Sequence, residues 1–286
     1  MIVVTGANGK LGRGVMEGLL GLMAPERIVA CVRDPAKAGT LGERGVQLRQ
    51  ADFADPATLA AAFADAEQVF ITSVDKFGPE GRRLHKMAIE AAYTAGARRV
   101  LYTSHMGARP DSAFADHCAA EAVLAEAGKP FTSLRHGFYA ESALHLVGRG
   151  FEMGEIRVPE DGPVCWTARA DLAEADAIVL AQQGRLDGIT PPMTALATFT
   201  MADLAAIASE LTGREVKRVV VPDAQWRDEQ LAKGAHAPMV AALLGMYRAA
   251  RSGDLAETHP LLADLLGRPP LTMRDVLASI LRPATA

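Results

Sequence analysis

A doubly wound α/β fold, a parallel sheet with helices on both faces and a smaller, mainly helical C-terminal lobe, is predicted by three observations. Short apolar runs alternate with amphipathic helical stretches through the first half of the chain. A glycine-rich turn follows the first run directly, and the alternation ends near residue 137, where glycine and proline accumulate. Strand and helix in repetition imply right-handed crossovers and therefore parallel neighbours.

Each element follows from its own pattern. Residues 2–5 are a β-branched run, and Leu11, Val15, Leu19 and Leu22 give residues 11–23 a helical period. Residues 28–32 and 46–48 read as the next strands, and 56–64 as a helix with Pro56 in its first turn. A fourth strand over 69–72, a helix over 80–95 stopped by Gly96, a fifth strand over 99–103, a helix over 116–127 and a sixth strand over 131–135 follow. Past the loop-rich passage, 169–182 read as a helix and 188–190 as a short strand. Residues 200–211 read as a helix with Thr200 as N-cap and Gly213 as stop, and 216–221 as a strand. Residues 223–281 are mostly helical, with Met239, Leu243, Met246, Tyr247 and Ala250 on one side of a helix. The expected division is a dinucleotide-binding core over 1–150, to which 171–192 returns, and a substrate lobe built from 151–170 and 193–286.

Composition narrows the function. The 286 residues are 49% hydrophobic and 22% charged with a net charge of −4, which argues against a disordered chain and against a basic nucleic-acid binder. No apolar run reaches the roughly 18 residues that span a bilayer, and no leader pattern precedes the first strand, so a cytoplasmic monomer or homodimer without membrane partners is expected. Cys31, Cys118 and Cys165 form neither a disulfide framework nor a zinc pair, and the 7 histidines fall in no metal-binding spacing, so no metal is expected. No G-x-S-x-G elbow of a serine hydrolase occurs.

The turn Gly6-Ala7-Asn8-Gly9-Lys10-Leu11-Gly12 has the spacing G-x-x-G-x-x-G between a strand and a helix. Gly6 permits the tight turn, Gly9 lets backbone amides approach a pyrophosphate, and Gly12 lets the helix pack on the strand with its N-terminus facing the anion. At the end of the second strand Arg33 suits a 2′-phosphate, with Lys37 as a second positive charge, which favours NADP(H). Asp34 beside it is the group that would instead bind the ribose of NAD(H), the second candidate cofactor. Asp52 either accepts from the adenine amino group or caps the turn before Pro56.

Dehydrogenases of this topology place a Tyr-x-x-x-Lys pair on the helix after the fifth strand. Here that helix carries His117 and Glu121, four residues apart on one face. A glutamate beside a histidine favours imidazolium, which would make His117 a proton donor; alternatively the two only line or cap the site.

With these motifs the chain resembles the NmrA-like group of atypical short-chain dehydrogenases/reductases, and within it the quinone- and dye-reducing members. The resemblance rests on segments 5–12, 32–37, 49–53, 102–104, 134–139, 167–173 and 265–270, with the His117/Glu121 pair, and so runs along nearly the whole chain. It implies a Rossmann core, NADP(H) across the carboxyl ends of the strands, and a substrate cleft between core and lobe. By position it implies that Gly6, Asn8, Gly9, Lys10, Leu11 and Gly12 cradle the pyrophosphate, that Arg33 meets the 2′-phosphate, and that Asp52 and Phe53 flank the adenine. Thr72, Ser73 and Val74 would run beside the nicotinamide ribose, and Tyr102 and Thr103 close to the nicotinamide. His136 departs from the pattern, which has Asn there; it is either a second proton donor or a packed loop residue.

The expected activity is hydride transfer from NAD(P)H to a planar, electron-poor acceptor such as a quinone or polycyclic aromatic, with His117, Tyr139 and His136 as catalytic candidates. Phe138, Tyr139, Trp166 and Met153 either wall an apolar cleft or fill the core. Quinone reduction leading to net hydroxylation of an aromatic polyketide-type substrate is a variant. A non-catalytic dinucleotide redox sensor is the alternative class.

Overall fold

The computed structural model describes residues 1–281, the side chain of Lys37 excepted. Six parallel strands alternate with helices through the first half: β1 (Ile2–Thr5), α1 (Lys10–Leu22), β2 (Ile28–Val32), β3 (Gln47–Gln50), α2 (Pro56–Ala62) and β4 (Gln68–Ile71). Then come α3 (Pro79–Thr94), β5 (Arg99–His105), α4 (Ala115–Glu126) and β6 (Phe131–His136). After β7 (Phe138–Tyr139), α5 (Ala143–Val147), α6 (Gly150–Met153), β8 (Glu155–Val158) and β9 (Trp166–Thr167), the chain runs through α7 (Arg169–Ala181) and β10 (Gly188–Ile189). It ends with α8 (Met201–Thr212), β11 (Lys217–Val220), α9 (Asp223–Ala232), α10 (Ala237–Arg251), α11 (Leu261–Leu266) and α12 (Met273–Leu281).

Contacts divide the chain into one unit of Met1–His136 with Arg169–Met193 and a second of Gly137–Ala168 with the residues from Thr194 on. The first unit is the expected doubly wound sheet, in the order β10-β6-β5-β4-β1-β2-β3 with every pairing parallel. The order reverses between β1 and β4, the switch point where such sheets bind ligands at their carboxyl ends. Every residue of β1, β2 and β4 is buried, as a sheet covered on both faces requires, whereas the edge strand β3 carries Gln47, Arg49 and Gln50. One face packs Val69, Val100 and Tyr102 against Leu59 of α2, Ile89 of α3 and Leu124 of α4. Elsewhere in the unit, α1 and α7 approach closely because their facing residues are small. A Cβ on Gly14 would stand 2.7 Å from that of Ala173, and one on Gly18 2.6 Å from that of Ala177.

β5 and β6 run past their expected ends to His105 and His136, which face each other in the ladder and bring both imidazoles to the carboxyl edge. Residues 137–165, read as loop, contain β7, β8 and two short helices. β8 pairs in parallel with β11, a partner too distant in sequence for local pattern to reveal. Thr200 caps α8 as expected, in a reciprocal box with Asp203. The buried side of α10 shares Tyr247 and Ala250 with the expected one, but Val240 and Leu244 are also inside, while Met239 is 57% exposed. Apolar residues nearly encircle this helix, so its period allowed either face. In the second unit Trp166 is buried with its ring edge-on to Phe138, and its Nε1–H donates to the Phe199 carbonyl at 2.9 Å.

Candidate active site

The glycine turn behaves as a cradle. Gly6 has φ +63°, closed to most side chains, and its carbonyl accepts from the Gly9 amide at 2.8 Å. A Cβ on Gly12 would stand 2.2 Å from the Gly6 oxygen, and one on Gly9 3.0 Å from it. No side chain caps α1 at Gly9 and its first turn holds no acid, so the amides and the positive end of the helix dipole are left for an anion. Asn8 is half-buried, Lys10 is exposed and Leu11 is buried in the core, so Leu11 offers an anion its amide rather than its side chain. These residues fit a dinucleotide pyrophosphate.

At the end of β2, Arg33 is exposed. Asp34 caps the short helical turn Pro35–Lys37, its Oδ1 accepting from the Ala36 amide at 3.1 Å. This use of Asp34 takes one of its oxygens from the ribose and leaves the strand end to the cation. The Lys37 side chain lies outside the described residues. Asp52 folds into its own turn, Oδ1 accepting from the Ala54 amide at 2.9 Å, while Asp55 rather than Asp52 caps α2. Phe53 is half-buried with its ring against the core.

The end of β4 is tied by hydroxyls to the ends of β1 and β5. Thr72 Oγ1 donates to the Thr5 carbonyl at 2.9 Å, and the Thr72 amide donates to Thr5 Oγ1 at 2.9 Å. The Ser73 amide donates to Thr103 Oγ1 at 2.8 Å, and Thr103 Oγ1 donates to Ser73 Oγ at 3.1 Å. Tyr102 is fully buried in the core. Its hydroxyl meets Nδ1 of His117 at 3.0 Å and Nδ1 of His85 at 3.2 Å. His85, on α3, was missed from the sequence because a lone histidine on a helix carries no motif. Its Nε2 accepts the Val74 amide at 3.0 Å.

The His117/Glu121 pair requires a correction. Glu121 does not act on His117: its carboxylate is buried and accepts from Arg135 Nη2 at 2.6 Å and Nε at 2.9 Å, from Ser104 Oγ at 2.8 Å and from Ser133 Oγ at 3.0 Å. Burial first, then the His136 imidazole, pushes the His117 pKa down to about 4, against the raising effect of a hydrogen bond with the Thr103 backbone. His117 is therefore a neutral imidazole at pH 7, not the imidazolium that a neighbouring glutamate would have favoured. His85 is lowered to about 4 by burial and by His117, with Asp116 pulling the other way. Burial also holds His105, whose ring stacks on Phe114, well below its ordinary value.

His136 is buried at the end of β6, with Nε2 2.9 Å from Asp176 Oδ1 of α7. Burial raises the Asp176 pKa, and His136 offsets part of that. Asp176, like His85, was not singled out from the sequence. Tyr139 lies in the second unit, half-buried on β7, where it pairs with Thr167 of β9. Of the other expected walls, Phe138 and Trp166 are core residues of the second unit, and Met153 is 75% exposed. Among the described residues no group of three or more His, Cys, Asp or Glu is placed to hold a metal ion, and no helix is long and apolar enough to cross a membrane.

Comparison with known proteins agrees with this geometry. A family model described as NAD(P)H-binding matches residues 6–183. Quinone oxidoreductase 2 of Escherichia coli is 31% identical over 283 residues, covering 98% of each chain. An NmrA-like family domain-containing oxidoreductase of Aspergillus flavus is 31% identical, covering 98% of this chain and 94% of that one. The crystal structure of the E. coli NADPH-dependent quinone oxidoreductase QOR2 in complex with NADPH superposes with a TM-score of 0.92 at 29% identity, over 99% of this chain and 100% of that one. Citrobacter sp. triphenylmethane reductase in complex with NADP(H) gives 0.89 at 27% identity, again over 99% and 100%. A dinucleotide cradle at the switch point of the sheet, a family match over most of the first unit and full-length relatives lead to one assignment: the chain belongs to the NAD(P)H-binding family, among its NmrA-like oxidoreductases.

Proposed function

We propose that this chain takes hydride from NADPH and delivers it to a planar, electron-poor acceptor, a quinone or a related polycyclic aromatic. The observation that carries this reading is the lack of an available acid where a Tyr/Lys pair would stand: His117 is neutral with Nδ1 engaged by Tyr102, and Glu121 is tied to Arg135. A simple ketone or aldehyde needs a proton on its oxygen as hydride arrives. A quinone does not, because hydride addition gives an aromatic anion that water can protonate. The similarity to quinone- and dye-reducing relatives supports the same acceptor class.

The nicotinamide, when bound, supplies the hydride; the chain binds it, orients it and keeps water away. The amides at Lys10, Leu11 and Gly12 would hold the pyrophosphate, with Gly6 and Gly9 shaping the turn and Asn8 beside it. Arg33 and Lys37 meet the 2′-phosphate, and Asp52 and Phe53 border the adenine. Thr72, Ser73 and Val74 follow the nicotinamide ribose, and Thr103 holds that segment through Ser73. His136, braced by Asp176, takes the place of the family's asparagine near the carboxamide, and Tyr139 is the candidate for contact with the acceptor.

The test is NADPH oxidation measured with a panel of simple and polycyclic quinones and cationic dyes. Acceptor-dependent oxidation supports the reading. Tight NADPH binding by calorimetry with no turnover on any acceptor overturns it and leaves a dinucleotide sensor. Labelled dioxygen appearing in the product would extend the activity to net hydroxylation.

A further inference from the structure

The buried polar chain beneath the candidate nicotinamide segment has a direction that the chemistry of its ends imposes. Its first member is the Val74 amide, which can only donate, so His85 Nε2, 3.0 Å away, must be the bare acceptor nitrogen. A neutral imidazole that accepts at Nε2 carries its hydrogen on Nδ1. His85 Nδ1 lies 3.2 Å from Tyr102 Oη and therefore donates to it. The Tyr102 hydrogen is then directed to His117 Nδ1 at 3.0 Å, which leaves the His117 hydrogen on Nε2.

We propose that His85 and Tyr102 are positioning residues in a one-way chain of hydrogen bonds from the Val74 amide to His117, with His85 in the Nδ1–H form and His117 in the Nε2–H form. The chain ties the end of β4 to the end of β5, alongside the Ser73–Thr103 link, and so fixes the two backbone segments that flank the nicotinamide in the proposed function, on which this inference rests. His85 and Tyr102 are both buried. The groups around the two rings are Asp116, whose Oδ2 accepts the Gly78 amide at 2.5 Å, His105 and His136.

The experiment is long-range proton–nitrogen NMR of the full chain labelled with 15N-histidine, without cofactor, with signals assigned by single His→Gln variants. The expected spectrum shows one neutral histidine in the less common Nδ1–H form, assigned to His85, and His117 as Nε2–H. Tyr102→Phe removes the central link and keeps the ring. It should leave His85 unchanged, convert His117 to a tautomer mixture, and raise the NADPH KM about 3- to 10-fold. His85 as Nε2–H, His117 as Nδ1–H, or a His117 signal that ignores Tyr102→Phe would each overturn the proposal. If Tyr102→Phe does not fold, the wild-type tautomers alone decide. The spectrum needs no turnover, so an absence of quinone reduction would sink the proposed function without touching this result.

Discussion

His117 and Glu121 stand four residues apart on α4, yet they inhabit opposite chemical worlds. His117 leans toward α3 and β5, among buried rings and with a single hydroxyl at its inner nitrogen. Glu121 leans toward β6 and collects a bidentate guanidinium and two serine hydroxyls. Four residues advance an α-helix by about 40° beyond a full turn, enough for neighbours on one face to meet different elements. A shared helix face therefore sets proximity along the chain but not the partner, and it is the partner that decides which group is charged.

The largest expected effect separates the two regions by pH. Below 6.5 an unfolded imidazole takes up a proton that the folded one refuses until about 4, so stability should fall as pH drops through that window. The loss is about 3 kcal/mol for each of His85 and His117. Urea unfolding at pH 7 and pH 4 measures it. A His85→Gln, His117→Gln double variant should flatten the slope, and a slope that survives both changes breaks the assignment.

Next comes the acidic side. Glu121→Ala leaves Arg135 and two serines without their acceptor and should cost about 3 kcal/mol at neutral pH. Because Glu121 does not act on His117, the His117 titration followed by NMR should be unmoved; a shift of a full unit would reunite the two regions. Tyr102→Phe should cost about 1–2 kcal/mol, the usual effect of stranding buried hydrogen-bonding groups. Differential scanning calorimetry reads that loss, and no change would mean the hydroxyl is idle. Arg33→Ala, outside both regions, is the smallest perturbation: stability unaltered, NADPH affinity down about tenfold, NADH affinity unchanged. Equal loss for both dinucleotides would place the 2′-phosphate elsewhere.

Much of the fold was legible because its signals are local. The β-branched runs, the proline at the first turn of α2 and the Thr200 cap are each contained in a few residues and appear where expected. The glycine turn is legible for the same reason, since Gly9 and Gly12 answer to atoms of Gly6 and Ala7 within the turn itself. The β8–β11 pairing was not legible, because its two halves carry no mark of each other. The interior side of α10 was ambiguous, because its apolar residues fit two faces of one helix.

The layered sheet, the dinucleotide turn and the departure from the Tyr-x-x-x-Lys pair are all written in short-range spacing along the chain. The protonation of the site was set instead by contacts made in space. The tertiary structure brought His85 from α3 and Tyr102 from β5 to His117, and it brought Arg135 from β6 to Glu121. Desolvation and ion pairing depend on which groups meet in space, and no spacing along the chain encodes that.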